Sequence, residues 1–178
     1  MNEVAFLVRE FAEPLDGPVR YAVLESPVGP LLLTGDGRSV TGLYTSGQRY
    51  GPRIGADWVP DPGLLPPVRD QLAAYFAGEL RRFDLPLAPC GTPWQRQVWQ
   101  ALTTVPYGRT TTYGALAVAL GRPTAARAVG LANGRNPVSV VIPCHRVVGA
   151  DGSLTGYAGG LARKRRLLEL ESGALPLG

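Results

Sequence analysis

The residues best equipped for chemistry are Cys144 and His145, side by side in Ile142-Pro143-Cys144-His145-Arg146-Val147-Val148-Gly149. His145 is the sole histidine among 178 residues, and Cys144 is one of two cysteines. A thiolate is a soft nucleophile, and an imidazole beside it can take up the thiol proton. Successive side chains on an extended backbone point opposite ways, so adjacency in sequence does not by itself bring the two groups together. The pair alone therefore admits two readings, an activated nucleophile or a small buried hydrophobe, because reactivity depends on thiol ionisation and exposure. Glu171 is a third group of interest. It follows Leu167 by four residues and Leu168 by three, which places it on the apolar stripe of a helix expected over 161–171. A carboxylate there either meets a polar partner or frays into solvent at the helix end. One histidine and no Cys-x-x-Cys spacing lead us to expect no metal site. Cys90, in a proline-punctuated stretch, is expected to be an ordinary thiol.

The elements that must carry these groups can be read from periodicity and punctuation. Val138-Ser139-Val140-Val141 is β-branched and apolar, which predicts a buried strand stopped by Pro143, with Cys144 at its end. Thr92 and Pro93 open a helix whose buried stripe is Trp94, Val98 and Leu102. Thr112 caps a short helix over 113–120, and Gly121-Arg122 makes a turn. Pro123 opens a third helix to Ala132, closed by Asn133-Gly134 in the left-handed conformation. Two short helices around a glycine turn form a helix-turn-helix. The second holds Ala125, Ala126, Arg127, Ala128, Val129 and Gly130. It lacks the Asn, Gln or several Arg needed to address base edges. It is either a packed alanine helix with an exposed arginine or a helix made to approach a nucleic-acid groove closely without reading it.

Upstream, three short runs (21–24, 31–34 and 39–44) separated by Gly/Pro turns predict an antiparallel meander. Residues 46–63 are expected to be loop, and 68–80 a helix with Leu72, Phe76 and Leu80 on one stripe. Residues 1–18 are expected to be a loosely held lead-in. The proline-rich stretch 83–91 suggests a boundary between residues 1–85 and 86–178. Charge divides there too. Residues 1–85 carry eight Arg against eleven acidic residues, whereas 86–178 carry nine Arg and Lys164 against Asp151, Glu169 and Glu171. Only the second part has the electrostatics to meet a phosphate backbone. No apolar run is long enough to span a bilayer, and no signal-peptide layout opens the chain, so no membrane partner is expected. Two cysteines of unlike context point to free thiols and a reducing cytoplasm.

Three ordered segments carry a resemblance. They are Arg135-Asn136-Pro137, then Ile142-Pro143-Cys144-His145-Arg146-Val147-Val148, then Gly156-Tyr157-Ala158-Gly159-Gly160-Leu161. Together they resemble the active-site signature of the O6-alkylguanine-DNA alkyltransferases, the methylated-DNA–protein-cysteine methyltransferases. Gln71-Leu72-x-x-Tyr75-Phe76-x-Gly78, Gly91-Thr92-Pro93-Trp94-Gln95, Val98-Trp99, Val105-Pro106-Tyr107-Gly108 and Thr112-Tyr113-Gly114 extend it from about residue 20. The resemblance implies an α+β fold: a small ribonuclease-H-like antiparallel sheet domain, then a mostly helical domain bearing the helix-turn-helix. It implies irreversible, cofactor-free transfer of the alkyl group of O6-alkylguanine, with O4-alkylthymine a further candidate, to Cys144. Its Glu–His–water–Cys relay matches Glu171, His145 and Cys144. Arg127 matches its arginine finger, on a helix whose Ala125, Ala126, Ala128 and Gly130 would lie in the minor groove of double-stranded DNA. Tyr113 matches the tyrosine whose hydroxyl serves the flipped base, and Asn136 braces the turn before the cysteine. The carbonyls near Cys144 and Val147 would face the guanine amino group, and the Tyr157-Ala158-Gly159 loop would hold O6. Many family members have Ser where this chain has Ala158, which leaves only backbone donors there. A monomer is expected. No paired carboxylates stand out in residues 1–85, so no nuclease activity is expected there.

Three other functions fit parts of this pattern: a lesion-binding relative without transfer, a cysteine hydrolase built on Cys144, His145 and Glu171, and a sequence-specific helix-turn-helix regulator. The presence of Cys144 weighs against the first. A hydrolase needs an acyl intermediate that water can cleave, whereas an S-alkyl cysteine is a stable thioether. The base-reading poverty of 124–132 weighs against the third.

Overall fold

The computed structural model describes residues 10–173, so the expectation for residues 1–9 falls outside it. Three strands, β1 (Arg20–Leu24), β2 (Leu31–Gly35) and β3 (Val40–Thr45), form the expected meander. Both of its pairings, β1 with β2 and β2 with β3, are antiparallel. Alternation decides the buried face: Ala22 and Leu24 point inward while Val23, between them, is 55% exposed. The β2–β3 turn closes because Asp36 Oδ1 accepts from the Arg38 and Ser39 amides at 2.8 and 2.7 Å, with Gly37 at φ 88°. The sheet order is β3-β2-β1-β4. β4 (Val59–Pro60) pairs parallel to β1 within the stretch expected to be loop. A two-residue strand containing proline has no periodicity to read, and it lies at the sheet edge, where proline is tolerated.

Helix α1 (Pro66–Phe76) is shorter at its C-terminal end than the expected 68–80. Gly78, at φ 77°, takes the chain out of the helix, and Leu80 packs against the core from beyond it. The helix buries Tyr75 as well as Val68, Leu72 and Phe76. The chain then runs along the outer edge of β3. The Val40 amide donates to Pro86 O and the Ala88 amide to Val40 O, both at 2.8 Å.

Helix α2 (Pro93–Thr103) begins with a full capping box between Thr92 and Gln95. Its buried face is Val98, Trp99 and Leu102, with Trp94 only half-buried. The Trp99 indole N–H donates to Ala132 O at 2.8 Å and fastens the last turn of helix α4 to α2. A short strand β5 (Thr111–Thr112) leads into α3 (Tyr113–Ala119), capped by the Thr112 hydroxyl as expected. α4 runs over Ala126–Gly134 and not over 123–132. Arg122-Pro123-Thr124 is consumed by the turn, where the Ala125 amide bonds back to Arg122 O at 2.9 Å. Asn133 and Gly134 remain helical, because the Asn133 side chain is buried and reaches toward Cys144 O instead of supplying a left-handed cap.

The largest departure concerns 138–141. Only Val138 forms a bridge, to Leu43, and Val140 adopts φ 71°. A β-branched residue there is a real outlier. The Asn136 side chain explains it, since Oδ1 accepts from the Val138 amide at 3.0 Å while Nδ2 donates to Ile142 O at 2.8 Å. These bonds close a tight buried turn where a ladder was expected. Cys144 accordingly opens a 3₁₀ turn (Cys144–Arg146) instead of ending a strand. Strand β6 (Val147–Val148) then pairs parallel with β5, and α5 covers Leu161–Glu171, as the sequence predicted. One continuous apolar core joins the sheet and α1 to α2–α5.

The Thr92–Gln95 box supplies acceptors for two backbone N–H groups at the α2 start that would otherwise lack helical partners, at 3.2 and 2.9 Å. Thr92→Ala should cost about 1 kcal/mol in urea unfolding, and Thr92→Ser should recover most of it.

Candidate active site

The thiol sits in a packed environment. Cys144 is 4% exposed, with Asn136 and Asn133 against the same turn, Nδ2 of Asn133 lying 3.5 Å from Cys144 O. Burial pushes the thiol up to about 11, while the Asn136 amide and the Lys164 ammonium pull in the opposite direction. Lys164 is itself buried on α5 and donates to Val147 O and, at 2.7 Å, to Thr155 O. Burial lowers its affinity for the proton, and a thiolate at Cys144 would restore it. A buried cation bonded only to carbonyl groups thus stands in the field of the sulfur.

His145 is fully buried, and its Nε2 lies 2.7 Å from Glu171 Oε1. Glu171 accepts five hydrogen bonds. Oε1 takes Tyr75 Oη and His145 Nε2, both at 2.7 Å, and Arg146 Nη2 at 2.9 Å. Oε2 takes Arg146 Nε at 2.9 Å and the Gly108 amide at 3.2 Å. Burial alone would raise this carboxyl, but the bonds from His145 and Arg146 hold it well below the usual carboxylate range. With Glu171 ionised, Nε2 carries the ring proton and Nδ1 is left as the acceptor. Nδ1 is buried and bonded to no other described residue. Burial lowers His145 below the usual histidine range against the pull of Glu171, so the ring is neutral at neutral pH. Gly108 is needed for this close approach: at φ 71°, a Cβ would lie 2.9 Å from Glu171 O.

The other residues singled out from sequence fall into two groups around this centre. In the first, the Tyr113 hydroxyl lies 3.4 and 3.5 Å from the carbonyls of Thr155 and Gly156. The Val147 carbonyl is engaged by Lys164. Burial, with the Cys144 sulfur nearby, pushes the Tyr157 hydroxyl well above its usual range. Ala158 and Gly159 are fixed from outside, by the Arg49 amide on Ala158 O and by Arg163 Nη1 on Gly159 O, both at 2.9 Å. In the second group, Arg127 is exposed near the start of α4, and Ala125, Ala126 and Ala128 are half-buried beside it. Gly130 departs from an open groove position, because it faces the Tyr113 ring at contact distance.

Sequence reasoning gave no role to Tyr75, Arg146, Lys164, Gly108 or Gln48. Lys164 was findable, since it shares the buried stripe of α5 with Leu167 and Glu171, the same argument that picked out Glu171. Gln48 carried no local signal. It comes from the β3 loop, where Oε1 accepts from Ser139 Oγ at 2.9 Å and Nε2 lies 3.4 Å from Asn136 O. Among the described residues there is no cluster of three or more His, Cys, Asp or Glu able to hold a metal, and no helix long and apolar enough to cross a membrane.

Residues 19–89 match the family description "6-O-methylguanine DNA methyltransferase, ribonuclease-like domain", and residues 93–173 match "6-O-methylguanine DNA methyltransferase, DNA binding domain". The chain is 53% identical over 158 residues to the methylated-DNA–protein-cysteine methyltransferase of Mycobacterium tuberculosis, covering 89% of this chain and 95% of the relative. Its counterpart from Methanosarcina barkeri is 50% identical over 155 residues, covering 87% and 98%. The crystal structure of M. tuberculosis OGT in complex with DNA superposes with a TM-score of 0.83 at 52% identity, covering 89% of this chain and 96% of that one. The O6-methylguanine-DNA methyltransferase of Pyrococcus kodakaraensis gives 0.61 at 29% identity, covering 86% and 98%.

The ionisation states fix how stability depends on pH. Glu171 binds its proton more weakly in the folded chain than in the unfolded one, so its contribution is fully present above the ordinary value of 4.5 and is lost progressively as pH falls from there toward the much lower folded value. His145 also resists protonation when folded, so stability starts to fall once pH drops below 6.5. Thermal unfolding should therefore be level from neutrality up to the pH at which a free thiol ionises, where the protonated Cys144 of the fold begins to cost stability, and decline in two stages toward acid. Glu171→Gln should flatten the lower stage and unfold earlier at pH 7, because it leaves the Arg146 guanidinium buried without its counter-ion.

Proposed function

We propose that this chain, which belongs to the 6-O-methylguanine DNA methyltransferase family, repairs alkylated DNA by taking the alkyl group of O6-alkylguanine onto Cys144. It is a DNA-binding transferase of the methylated-DNA–protein-cysteine methyltransferase kind. The observation that carries the assignment of Cys144 is a buried thiol next in sequence to a buried imidazole whose Nε2 is held by Glu171 and whose Nδ1 has no partner among the described residues.

The steps follow from that arrangement. His145 Nδ1 accepts the thiol proton through one water, and the imidazolium that forms is stabilised by Glu171. The sulfur attacks the sp³ carbon in line with the C–O6 bond. A C–S bond forms, and the electron pair of the C–O6 bond leaves on guanine. The Tyr113 hydroxyl donates to the departing purine, and backbone amides of Tyr157-Ala158-Gly159 receive O6. Asn136 holds the turn that aims the sulfur, and the Val147 carbonyl faces the guanine amino group. S-alkyl cysteine is a thioether that water does not cleave, so each chain acts once.

DNA is met through α4, whose Ala125, Ala126 and Ala128 allow close approach to the minor groove. Arg127 fills the space of the base turned out into the site. In this reading residues 86–178 bind DNA and carry the transfer, residues 1–85 support them, and the chain works as a monomer in a reducing cytoplasm without a cofactor. The exposed Arg127, the single charge on α4, and the two free cysteines support these points.

Incubation with a duplex bearing one O6-methylguanine should add a single methyl to the intact mass, on the Cys144 peptide, saturating at one per chain. Cys144→Ala should abolish the gain and still bind the lesion duplex. Tight binding with no mass change in the unaltered protein would make it a lesion-binding protein instead. Arg127→Ala should slow transfer from duplex by roughly tenfold or more, since the unstacking it offsets costs a few kcal/mol. It should leave transfer from the free O6-methylguanine base unaltered, as stopped-time mass measurements would show.

A further inference from the structure

Tyr75 lies on α1, in the part of the chain to which the proposed chemistry gives no role, yet its hydroxyl touches the catalytic carboxylate. It is fully buried, and its ring is held between Phe76 at 5.3 Å, Phe83 at 5.2 Å and Tyr107 at 6.1 Å, measured between ring centroids. Its hydroxyl donates at 2.7 Å to Glu171 Oε1, the same oxygen that accepts from His145 Nε2 at 2.7 Å. Burial and the adjacent carboxylate push the Tyr75 hydroxyl far above its usual range, so it remains a donor at any working pH.

A carboxylate oxygen shared among several donors gives less to each. An ionised Glu171 left with His145 alone would bind the imidazolium strongly and turn the ring into a protonated ion-pair partner, which cannot accept a proton from the thiol. We propose that Tyr75 is a positioning residue of the alkyl-transfer site. Its hydroxyl fixes Glu171 Oε1 and weakens the pull of that oxygen on His145, so that the imidazole stays a neutral base. This rests on the reading of Cys144 and His145 as the reacting pair. A tyrosine that merely satisfied its hydroxyl on the nearest acceptor would affect stability but leave the imidazole alone. The geometry argues against that, because the acceptor chosen is the very oxygen that orients His145.

The groups that act on His145 are few and come from every neighbouring element. They are Glu171 and Lys164 from α5 and Arg146 from its own turn, while Tyr75 from α1 and Tyr107 from the loop after α2 adjoin Glu171. Arg146 also shares Glu171 Oε1, but it is needed as the buried counter-ion, so its removal would confound charge with position. Tyr75 is neutral and can lose its hydroxyl with its ring packing retained.

Because His145 is the sole histidine, its ring protons give one resolved titration by NMR in the intact protein. In Tyr75→Phe the His145 pKa should rise by roughly half a unit to one unit, a fraction of what one hydrogen bond to an ionised carboxylate contributes. The acid limb of the rate of methyl transfer from free O6-methylguanine should move up by the same interval. 3,5-Difluorotyrosine at position 75, a stronger donor of the same shape, should shift both downward. It also keeps the test decisive if the Phe variant folds poorly. Titrations and pH–rate profiles superimposable on the parent's, in variants with parent-like circular dichroism, would overturn the proposal. If Cys144 takes up no methyl in any of the proteins, the functional reading fails, and the NMR titration still reports whether Tyr75 acts on His145.

Discussion

An ionised carboxylate inside a protein must be surrounded by donors, and Glu171 sets that condition for the whole molecule. Taking such a charge out of water costs several kcal/mol even after relaxation, and only well-aimed hydrogen bonds offset it. Here they come from α1 through Tyr75, from the loop after α2 through Gly108, and from the 3₁₀ turn through His145 and Arg146. Each segment must arrive at a fixed distance, so one group dictates how the sheet-bearing part, the α2 connection and α5 are juxtaposed. Arg146 is fixed at its other end by Val105 O, at 2.6 Å from Nη1, which carries the constraint on to the end of α2.

Cys144, the nucleophile of the proposed transfer, depends on a different balance. Burial keeps the Cys144 thiol protonated at neutral pH, which protects it from adventitious electrophiles. The same burial puts Lys164 in reach of the sulfur with little water to screen it, so formation of a thiolate is met by a charge already in place. The turn that presents the sulfur is held by the strained Val140 and by Asn136, and Gln48 from the β3 loop braces it from the far side. The two parts of the chain therefore meet at the turn that leads into Cys144.

How much of this was legible in the sequence follows from the range of the forces involved. The meander, the Thr92 and Thr112 caps and α5 are written in local periodicity and capping chemistry, and they were read to within a residue or two. The 138–141 segment was misread because its β-branched residues favour a strand, and a long-range bridge plus one Asn side chain overrode that preference. Asn133-Gly134 was misread as a helix stop because the Asn is drawn inward. Cys144, His145 and Glu171 were recognisable from residue type and motif. Tyr75 and Gln48 were not, since what they do depends on a partner 96 residues away in one case and 88 or 91 in the other.

The spread of those partners has a consequence for how the molecule comes into being. In chain order Tyr75, Gly108, His145 and Arg146 all precede Glu171, the acceptor they share. A chain growing from its N-terminus can form the meander and α2 early, because those contacts are local. Until α5 emerges, Arg146 has no counter-ion, the His145 ring has nothing to fix its tautomer, and the charge of Lys164 is missing beside the sulfur. During synthesis the thiol is therefore an ordinary cysteine, and it acquires its chemical character only when the last helix docks.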